Sequence, residues 1–285
     1  MARVLGVDVG GTHTRWGVIQ DDNVLYVNKT KSQEIVDFVL FIKSILDDEQ
    51  DIEQVCMGVP GIVNQHHIVN IPNLSVLNIP DLADQIQAKT GVKTSIYRDV
   101  QLLFAHDQAT LGIQSKKNIL AFYLGTGIGN VIKVNGNVLE GMHGFASELG
   151  HIPIHGSKEI CPCGKTGCAE ITYSGKGLVA LFEQHHLSGK FQDVFLNHFN
   201  HQAIQDYLKG FAEVIGIEMN ILDITEIIIG GGVANMVGFP RDILIGFIEK
   251  HLRKPLTLQD LHVYFVDDSP KNSIIGAGLI LKEEV

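Results

Sequence analysis

The chain has 285 residues, 45% of them hydrophobic, and its formal net charge is −10. A chain of this length can bury a sizeable core and commonly divides into two domains. The acidic balance argues against nucleic acid or an anionic membrane as a partner, because phosphate groups are bound by clustered lysine and arginine. The sequence shows no secretory segment and no apolar run of about 20 residues, so we expect a cytoplasmic protein that binds small molecules.

The first part of the chain alternates predicted strands and helices, which is typical of an α/β fold. Strands are predicted at residues 4–9, 15–19, 24–27, 54–59 and 93–97, and helices at residues 35–46, 81–89 and 102–111. A polar run at residues 115–118 follows, and a new set of elements begins after it. We therefore predict a smaller N-terminal domain at residues 1–117 and a larger C-terminal domain at residues 118–285.

The second part predicts a glycine-rich hairpin around residues 122–132 and a long helix at residues 203–222, whose apolar residues recur at helical spacing. A strand at residues 226–229, a helix at residues 242–252 and a terminal helix at residues 274–281 complete it. Gly276 and Gly278 would let the terminal helix pack closely on the first domain.

The first motif follows the first strand, where Asp8 precedes Gly10, Gly11 and Thr12. Adjacent glycines can turn with positive φ and present backbone N–H groups to an anion, Thr12 adds a hydroxyl, and Asp8 can hold hydrated Mg²⁺. The motif predicts a phosphate-binding turn. An ordinary hairpin also uses Gly-Gly, and this alternative stays open for the motif taken alone.

A second copy of this arrangement lies at Gly125, Thr126 and Gly127, and Gly125 follows Gly10 by 115 residues. Internal repetition predicts two similar α/β halves that face each other across a cleft, each giving one turn to the same phosphate chain. Gly230, Gly231 and Gly232 end a later strand and leave room for a flat ring or a ribose, with a plain strand-to-helix turn as the alternative.

A metal site is predicted from one histidine and three closely spaced cysteines, with glycines supplying the turns between thiolates. The ligands are His151, Cys161, Cys163 and Cys168. One imidazole and three thiolates fill a tetrahedral zinc site and leave no open position, so the zinc would be structural. The alternative is coincidental clustering with a strained disulfide. The remaining thiol, Cys56, lies in an apolar strand and is predicted to be part of the core.

Two carboxylates flank the predicted metal site. Glu148 lies three residues before His151, and Glu170 lies two residues after Cys168. A loop held by zinc would fix these acceptors and the second imidazole nitrogen rigidly, which suits a polyhydroxylated ligand. For Glu148 the alternative is that it only orients His151.

Asp99 ends another strand immediately before a helix, and it is the candidate catalytic base. An aspartate there is often only a helix N-cap. The sequence Gly164-Lys165-Thr166 lacks the glycine that a P-loop needs at position 159, and the Gly125 turn does not have dinucleotide-fingerprint spacing. Two phosphate turns, a strand-end aspartate and no P-loop predict ATP-dependent transfer to a hydroxyl group.

Together these motifs resemble the ROK family of sugar kinases over essentially the whole chain. The matching segments are DVGGTHTR, LGTGIG, IGGGV, ELGH and CPCGKTGCAE. The resemblance implies an α/β fold of two actin/hexokinase-like (ribonuclease H-like) domains that close over a hexose, use of ATP and Mg²⁺ with a structural Zn²⁺, and a homodimer or homotetramer. It also implies that Asp99 takes the proton of the sugar 6-hydroxyl. The sugar contacts implied by the resemblance are Gly61, Asn73, Glu148, His151 and Glu170.

One departure concerns Arg98, which stands where most of the family has an asparagine before the catalytic aspartate; Gln101 stands where a second asparagine is usual. The segment is similar to the branch of the family that acts on D-allose, and we expect Arg98 to help read the orientation of the 3-hydroxyl. The alternatives are an N-acetylmannosamine kinase or a glucokinase. A non-catalytic sugar sensor is a further alternative, whereas the family's repressors carry an N-terminal DNA-binding module for which we expect no room here.

Overall fold

The computed structural model describes residues 3–21, 23–72, 74–254 and 259–283. The chain forms two compact units. Unit 1 comprises Met1–Ser115, Glu140–Ala146 and Ser269–Val285, and unit 2 comprises Lys116–Leu139 and Ser147–Asp268. The domain boundary at residue 117 stays a prediction, and Glu140–Ala146 and Ser269–Val285 place chain from beyond that residue in unit 1.

Unit 1 is built on a mixed sheet with strand order β3-β2-β1-β5-β8 and with β4 beside β2. Its strands and helices are β1 (Arg3–Val9), β2 (His13–Gln20), β3 (Asn23–Val24), β4 (Asn28–Lys31), α1 (Phe38–Asp48), β5 (Ile52–Val59), a ribbon of β6 (Ile62–Asn64) and β7 (His67–Asn70), α2 (Leu82–Thr90), β8 (Lys93–Arg98) and α3 (Asp99–Thr110). β1, β5 and β8 run parallel, and β2 is antiparallel to β1. Alternate strand residues enter two apolar clusters: one includes Leu5, Val55 and Ile96, and the other includes Val4 and Cys56.

Unit 2 contains a second sheet, with strand order β11-β10-β9-β12-β13. Its strands and helices are β9 (Ile119–Leu124), β10 (Ile128–Val134), β11 (Asn137–Val138), α4 (Ala169–Tyr173), α5 (Gly175–Gln184), α6 (Val194–His198), α7 (Gln202–Leu222), β12 (Glu226–Gly230), α8 (Arg241–His251) and β13 (His262–Phe265). The long helix α7 buries Phe211 and Ile215 in the same core as Phe122 of β9. The predicted amphipathic helix is thus a core helix, as its spacing indicates.

The last helix, α9 (Asn272–Glu283), packs within unit 1 against β1 and α3. A Cβ at Gly276 would lie 1.8 Å from the Leu102 carbonyl oxygen, and one at Gly6 would lie 3.1 Å from Ala277 Cβ. Glycine at these two positions lets the backbones approach closely, so the terminal helix closes the face of the sheet.

The sequence-based assignment differs from the structure in several elements. The predicted strand at residues 24–27 is only Asn23–Val24, and the helix predicted from residue 102 begins at Asp99. The ribbon β6–β7, the helices α4 to α6 and the edge strand β13 were not predicted, because short elements depend on tertiary pairing more than on local pattern. Within the described ranges, no helix is both long and apolar enough to cross a membrane.

Candidate functional site

The carboxyl edge of the unit 1 sheet collects three strand ends. β1 pairs Asp8 with Gly58 of β5, and β5 pairs Gly58 with Tyr97 of β8. Because the strands are parallel, residues that follow these positions emerge at the same edge. Asp8 and Asp99 therefore lie at one end of a single sheet.

Asp8 contacts one residue from the end of the described chain and one from the neighbouring strand β2. Ser273 Oγ, in the first turn of α9, donates a hydrogen bond of 2.8 Å to Asp8 Oδ2. Arg15 Nη1 lies 4.0 Å from the same oxygen. The Asp8 side chain retains 17% exposure, so a hydrated cation can reach its carboxylate.

The turn after β1 is closed by a hydrogen bond of 2.9 Å from Gly10 N to His13 O. Ser32 Oγ donates to Gly10 O at 2.6 Å, and Ser32 N donates to Thr12 O at 3.0 Å. The expected positive φ is wrong for both Gly10 and Gly11. Gly11 instead has open space where a Cβ would stand, which leaves its backbone accessible from that side.

Asp99 is the first residue of α3, and the N-cap is Arg98. Its Oδ1 accepts a hydrogen bond of 2.8 Å from Val100 N. A carboxylate at a helix N-terminus is stabilised in its ionised form by the helix dipole. The residue is partly buried, and a Cβ at Gly58 would lie 3.1 Å from its Cα, so the absence of a side chain on β5 allows the helix to start here.

Arg98 and Gln101 form the hydrogen bonds at the N-terminus of α3. Gln101 Oε1 accepts from Arg98 N at 2.9 Å. Arg98 Nη1 donates to Ala146 O at 2.8 Å, which ties the helix start to the segment Glu140–Ala146 of the same unit. The amide of Gln101 is thus engaged in capping the helix.

Gly61 follows β5, and a Cβ there would lie 2.4 Å from the Asn70 carbonyl oxygen. A glycine is therefore required for packing against β7, whatever its role toward a ligand. Asn73, the other predicted sugar contact in this region, lies outside the described residues.

The second glycine turn, in unit 2, is held by the N-terminus of α5. Gly175 N donates to Gly125 O at 2.8 Å, and Lys176 N donates to Thr126 O at 3.3 Å. Within the turn, Gly125 N donates to Gly127 O at 3.1 Å. As in the first turn, neither Gly125 nor Gly127 has positive φ, and a Cβ at Gly125 would meet no atom within 4 Å.

Glu170 lies against this second turn. Its Oε2 accepts a hydrogen bond of 3.0 Å from Ile128 N, and a Cβ at Gly127 would lie 2.5 Å from the same oxygen. Gly127 is therefore a glycine because the carboxylate occupies that space. Glu170 connects the second glycine turn to the cysteine loop.

The four predicted zinc ligands lie together, with their ligand atoms within 4.8 Å of one another. Cys163 Sγ is 3.6 Å from Cys168 Sγ, and Cys161 Sγ is 3.7 Å from His151 Nδ1. Tetrahedral zinc with bonds of about 2.3 Å would separate two sulfur ligands by about 3.8 Å. The donor set and its spacing fit a structural zinc ion.

Local turns build this cluster. Gly164 and Gly167 have φ of +90° and +75°, as the predicted turns require. Gly164 N donates to Cys161 O at 2.9 Å, and Cys161 N donates to Lys165 O at 2.8 Å. All four cysteines of the chain are free thiols in the structure, and Cys56 is fully buried, as predicted.

The second nitrogen of His151 faces Glu148. Nε2 lies 3.4 Å from Glu148 Oε2, while Nδ1 faces the cysteines. This is the geometry of a metal-bound histidine whose other nitrogen is oriented by a carboxylate. Glu148 contacts His151 and is partly exposed, at 24% of its side chain, so it can also accept a hydrogen bond from a ligand.

The three glycines at the end of β12, Gly230 to Gly232, are glycines for different local reasons. A Cβ at Gly231, where φ is +91°, would lie 2.7 Å from the Leu124 backbone, and one at Gly230 would lie 2.7 Å from Val266 Cγ2. Only Gly232 has open space, with Asp268 Oδ2 nearest at 3.9 Å. Packing therefore explains Gly230 and Gly231, and Gly232 is the position of the three that leaves room for a ligand.

Sequence reasoning missed three residues that support the turns and strand ends: Ser32, Ser273 and Glu218. Glu218 of α7 is buried and accepts from Asn130 Nδ2 of β10 at 2.9 Å; burial raises the pKa of its carboxyl to about 7. These residues lie far in sequence from their partners, so no spacing rule marks them. The one available signal is an isolated acidic residue on the apolar face of a helix.

Comparison with known proteins identifies the family of the chain. The family model described as "ROK family" matches residues 4–284. The chain is 27% identical over 263 residues to a glucokinase of Halalkalibacterium halodurans, covering 85% of this chain and 79% of that protein. It is 25% identical over 254 residues to an N-acetylmannosamine kinase of Vibrio cholerae, covering 83% and 86%.

Among solved structures, a ROK family transcriptional regulator described as a homologue of the E. coli MLC protein superposes with a TM-score of 0.81 at 21% identity, covering 99% of this chain and 78% of that one. At this identity the likeness shows the fold. It confirms the α/β actin/hexokinase-like architecture predicted from the motifs. The chain belongs to the ROK family.

Proposed function

We propose that the protein transfers the γ-phosphoryl group of ATP to the 6-hydroxyl of an aldohexose, with D-allose as the substrate. In this reaction the bond between the γ-phosphorus and the β–γ bridging oxygen breaks, a bond from phosphorus to the sugar oxygen forms, and the hydroxyl proton moves to a carboxylate. The observation that carries the proposal is the convergence of Asp8 and Asp99 at one sheet edge of unit 1, beside the Gly10–Gly11 turn.

Asp99 is assigned as the base. Its ionised carboxylate can receive the proton, and the helix dipole keeps it a weak base. A weak base is sufficient because the acceptor loses its proton late in a loose phosphoryl-transfer transition state, in which positioning contributes most. The short tie from Arg98 to Ala146 and the cap from Gln101 hold the start of α3 in place.

The two glycine turns are assigned to the phosphates of ATP. Unit 1 would contribute the backbone of Gly10, Gly11 and Thr12, and unit 2 that of Gly125, Thr126 and Gly127. Asp8 would hold Mg²⁺ through water, and a bound Mg²⁺ supplies charge that stabilises the phosphates. Gly230, Gly231 and Gly232 are assigned to the nucleoside side.

The sugar is assigned to side chains with fixed partners. Unit 2 would contribute Glu148, His151 and Glu170, and a structural zinc ion would fix the imidazole. Unit 1 would contribute Gly61, Asn73, Arg98 and Asp99. Family resemblance also leads us to propose a homodimer or homotetramer.

The choice of D-allose rests on Arg98, whose guanidinium replaces the usual amide. The named relatives, a glucokinase and an N-acetylmannosamine kinase, keep those two sugars as alternatives. Because a ROK regulator shares the fold, a non-catalytic sugar sensor is the second candidate.

An ADP-coupled assay with a panel of aldohexoses and N-acetylhexosamines tests the proposal. We expect ADP release with ATP and Mg²⁺, greatest with D-allose. Absence of ADP release with every sugar, together with measurable sugar binding, would favour the sensor. If Arg98→Asn leaves the ratio of kcat/KM among D-allose, D-glucose and N-acetylmannosamine unchanged, Arg98 does not set the preference.

A further inference from the structure

Ser147 carries a buried hydroxyl without a partner. Its side chain belongs to a residue with 8% exposure, and no hydrogen-bonding atom of the described residues is within reach of its Oγ. Two other buried side-chain atoms share this property, Arg3 Nε and Asn130 Oδ1. Each of those belongs to a group whose other atoms are paired, with Glu49 and with Glu218 respectively. The hydroxyl of Ser147 has no such compensation.

The backbone at Ser147 is also unfavourable. Its φ is +65°, in the left-handed region that glycine occupies freely and that a side chain destabilises. A glycine at this position would relieve the backbone and remove the unpaired hydroxyl together. Two unfavourable features at one residue indicate that Ser147 has a functional role, because strained backbone and unpaired buried groups cluster at ligand-binding sites.

The residues next to Ser147 in the sequence indicate which ligand. Ala146, immediately before it, accepts the hydrogen bond of the Arg98 guanidinium. Glu148, immediately after it, contacts the ring of His151. Arg98, Glu148 and His151 are the residues assigned above to the acceptor sugar. A serine hydroxyl both donates and accepts, and it can rotate to match a hydroxyl of a polyol.

We infer that Ser147 Oγ binds a hydroxyl of the acceptor sugar and contributes to the choice among hexoses. This inference rests on the proposed function. It makes Ser147 a substrate-binding residue whose hydroxyl finds its partner when the sugar is bound. A site built to pair with a substrate hydroxyl discriminates against analogues that lack it, because the protein group is then left unpaired.

The experiment compares Ser147→Ala with Ser147→Gly in the full-length protein. Sugar binding is measured by calorimetry with D-allose and with D-glucose in the absence of nucleotide, and thermal unfolding is measured on the same samples. We expect both variants to bind the preferred sugar about tenfold more weakly, as for the loss of one buried hydrogen bond. The KM for ATP should stay unchanged.

Stability should not fall in either variant. Ser147→Ala should keep its unfolding temperature, and Ser147→Gly should gain roughly 2 °C, because glycine relieves the left-handed backbone. Asn135→Gly is the matched control: Asn135 has a φ of +53° in an exposed turn away from the assigned sugar contacts. It should gain stability in the same way and leave sugar binding unchanged.

Unchanged sugar affinity in Ser147→Ala, in a protein that binds and phosphorylates the sugar, would overturn this inference alone. A fall of several degrees in its unfolding temperature would also overturn it, because the hydroxyl would then have a structural partner. Absence of sugar binding and of ADP release in the unaltered protein would instead remove the proposed function. A monodeoxy sugar whose affinity is insensitive to Ser147→Ala identifies the hydroxyl that Ser147 binds.

Discussion

The two glycine turns of the molecule share a motif and a setting but differ in what supports them. The sheets have the same order, with β1, β2, β3, β5 and β8 of unit 1 corresponding to β9, β10, β11, β12 and β13 of unit 2. In unit 1 the turn is held by the Ser32 hydroxyl, and in unit 2 by the amides of Gly175 and Lys176. The same backbone can thus be fixed by different local chemistry.

The turns differ further in their flanking residues. Asp8 stands two residues before Gly10, whereas Tyr123 stands two residues before Gly125. The carboxylate at this position therefore belongs to unit 1, and the His151 and cysteine cluster belongs to unit 2. A repeated scaffold has diverged into a unit that we assign to metal and proton chemistry and a unit that we assign mainly to recognition.

The largest expected effect is at Asp99. Asp99→Asn keeps an oxygen that can accept from Val100 N but cannot accept the sugar proton, so kcat should fall by roughly a thousandfold while the unfolding temperature is unchanged. Asp84→Asn, on the exposed face of α2, is a control with the same chemical change. The measurement is the initial rate of ADP release. A loss of less than tenfold would remove Asp99 as the base.

Removal of the zinc cluster should affect unit 2 selectively. Cys161→Ser should abolish zinc retention, measured by elemental analysis, and lower the unfolding temperature by roughly 5 °C or more. Sugar affinity should fall because His151 is no longer fixed. Cys56→Ser is a matched change outside the cluster, and it should keep its zinc. If Cys161→Ser also retains a full complement of zinc, the four ligands are not a metal site.

The raised pKa of Glu218, which is buried beside Asn130, predicts that the stability of the protein depends on pH. The folded-state pKa of about 7 lies above the usual 4.5, so the folded protein holds a proton that the unfolded chain releases, and stability falls as pH rises from about 4.5 through about 7. Glu218→Gln removes this loss and should be more stable than the unaltered protein at pH 8, by at most about 3 kcal/mol. The free energy of unfolding of both proteins is measured in urea at pH 5 and at pH 8. If Glu218→Gln differs from the unaltered protein by the same free energy at both pH values, the raised pKa of Glu218 is contradicted.

The smallest expected effect is at Ser273. Ser273→Ala removes one hydrogen bond to Asp8, so the Mg²⁺ concentration for half-maximal activity should rise by about threefold to tenfold with little change in kcat. Ser273→Thr retains the hydroxyl and should restore the Mg²⁺ dependence. Binding of Mn²⁺ with a non-hydrolysable ATP analogue, measured by electron paramagnetic resonance, gives a readout independent of turnover. Identical Mn²⁺ affinities would show that Ser273 does not position Asp8.

The sequence predicts those parts of the site whose chemistry is encoded by local spacing. The cysteine loop and the two glycine turns fall in this class, because Cys161, Cys163 and Cys168 lie within eight positions of one another. The bond from Ser273 to Asp8 joins residues 265 positions apart, and only the packing of α9 brings them together. The positive φ expected in the first hairpin turn was wrong: Gly11 has open space where a Cβ would stand, and in the second turn Gly127 is explained by the neighbouring Glu170 carboxylate.

The terminal helix has a consequence for biosynthesis. Unit 1 is discontinuous, and it includes Ser269–Val285, which is synthesised after all of unit 2. All of unit 2 has been synthesised by then, so its core can form while unit 1 still lacks the helix that covers β1 and α3. The Asp8 carboxylate acquires its Ser273 partner only after unit 2 has been synthesised, so this contact at the end of β1 forms late.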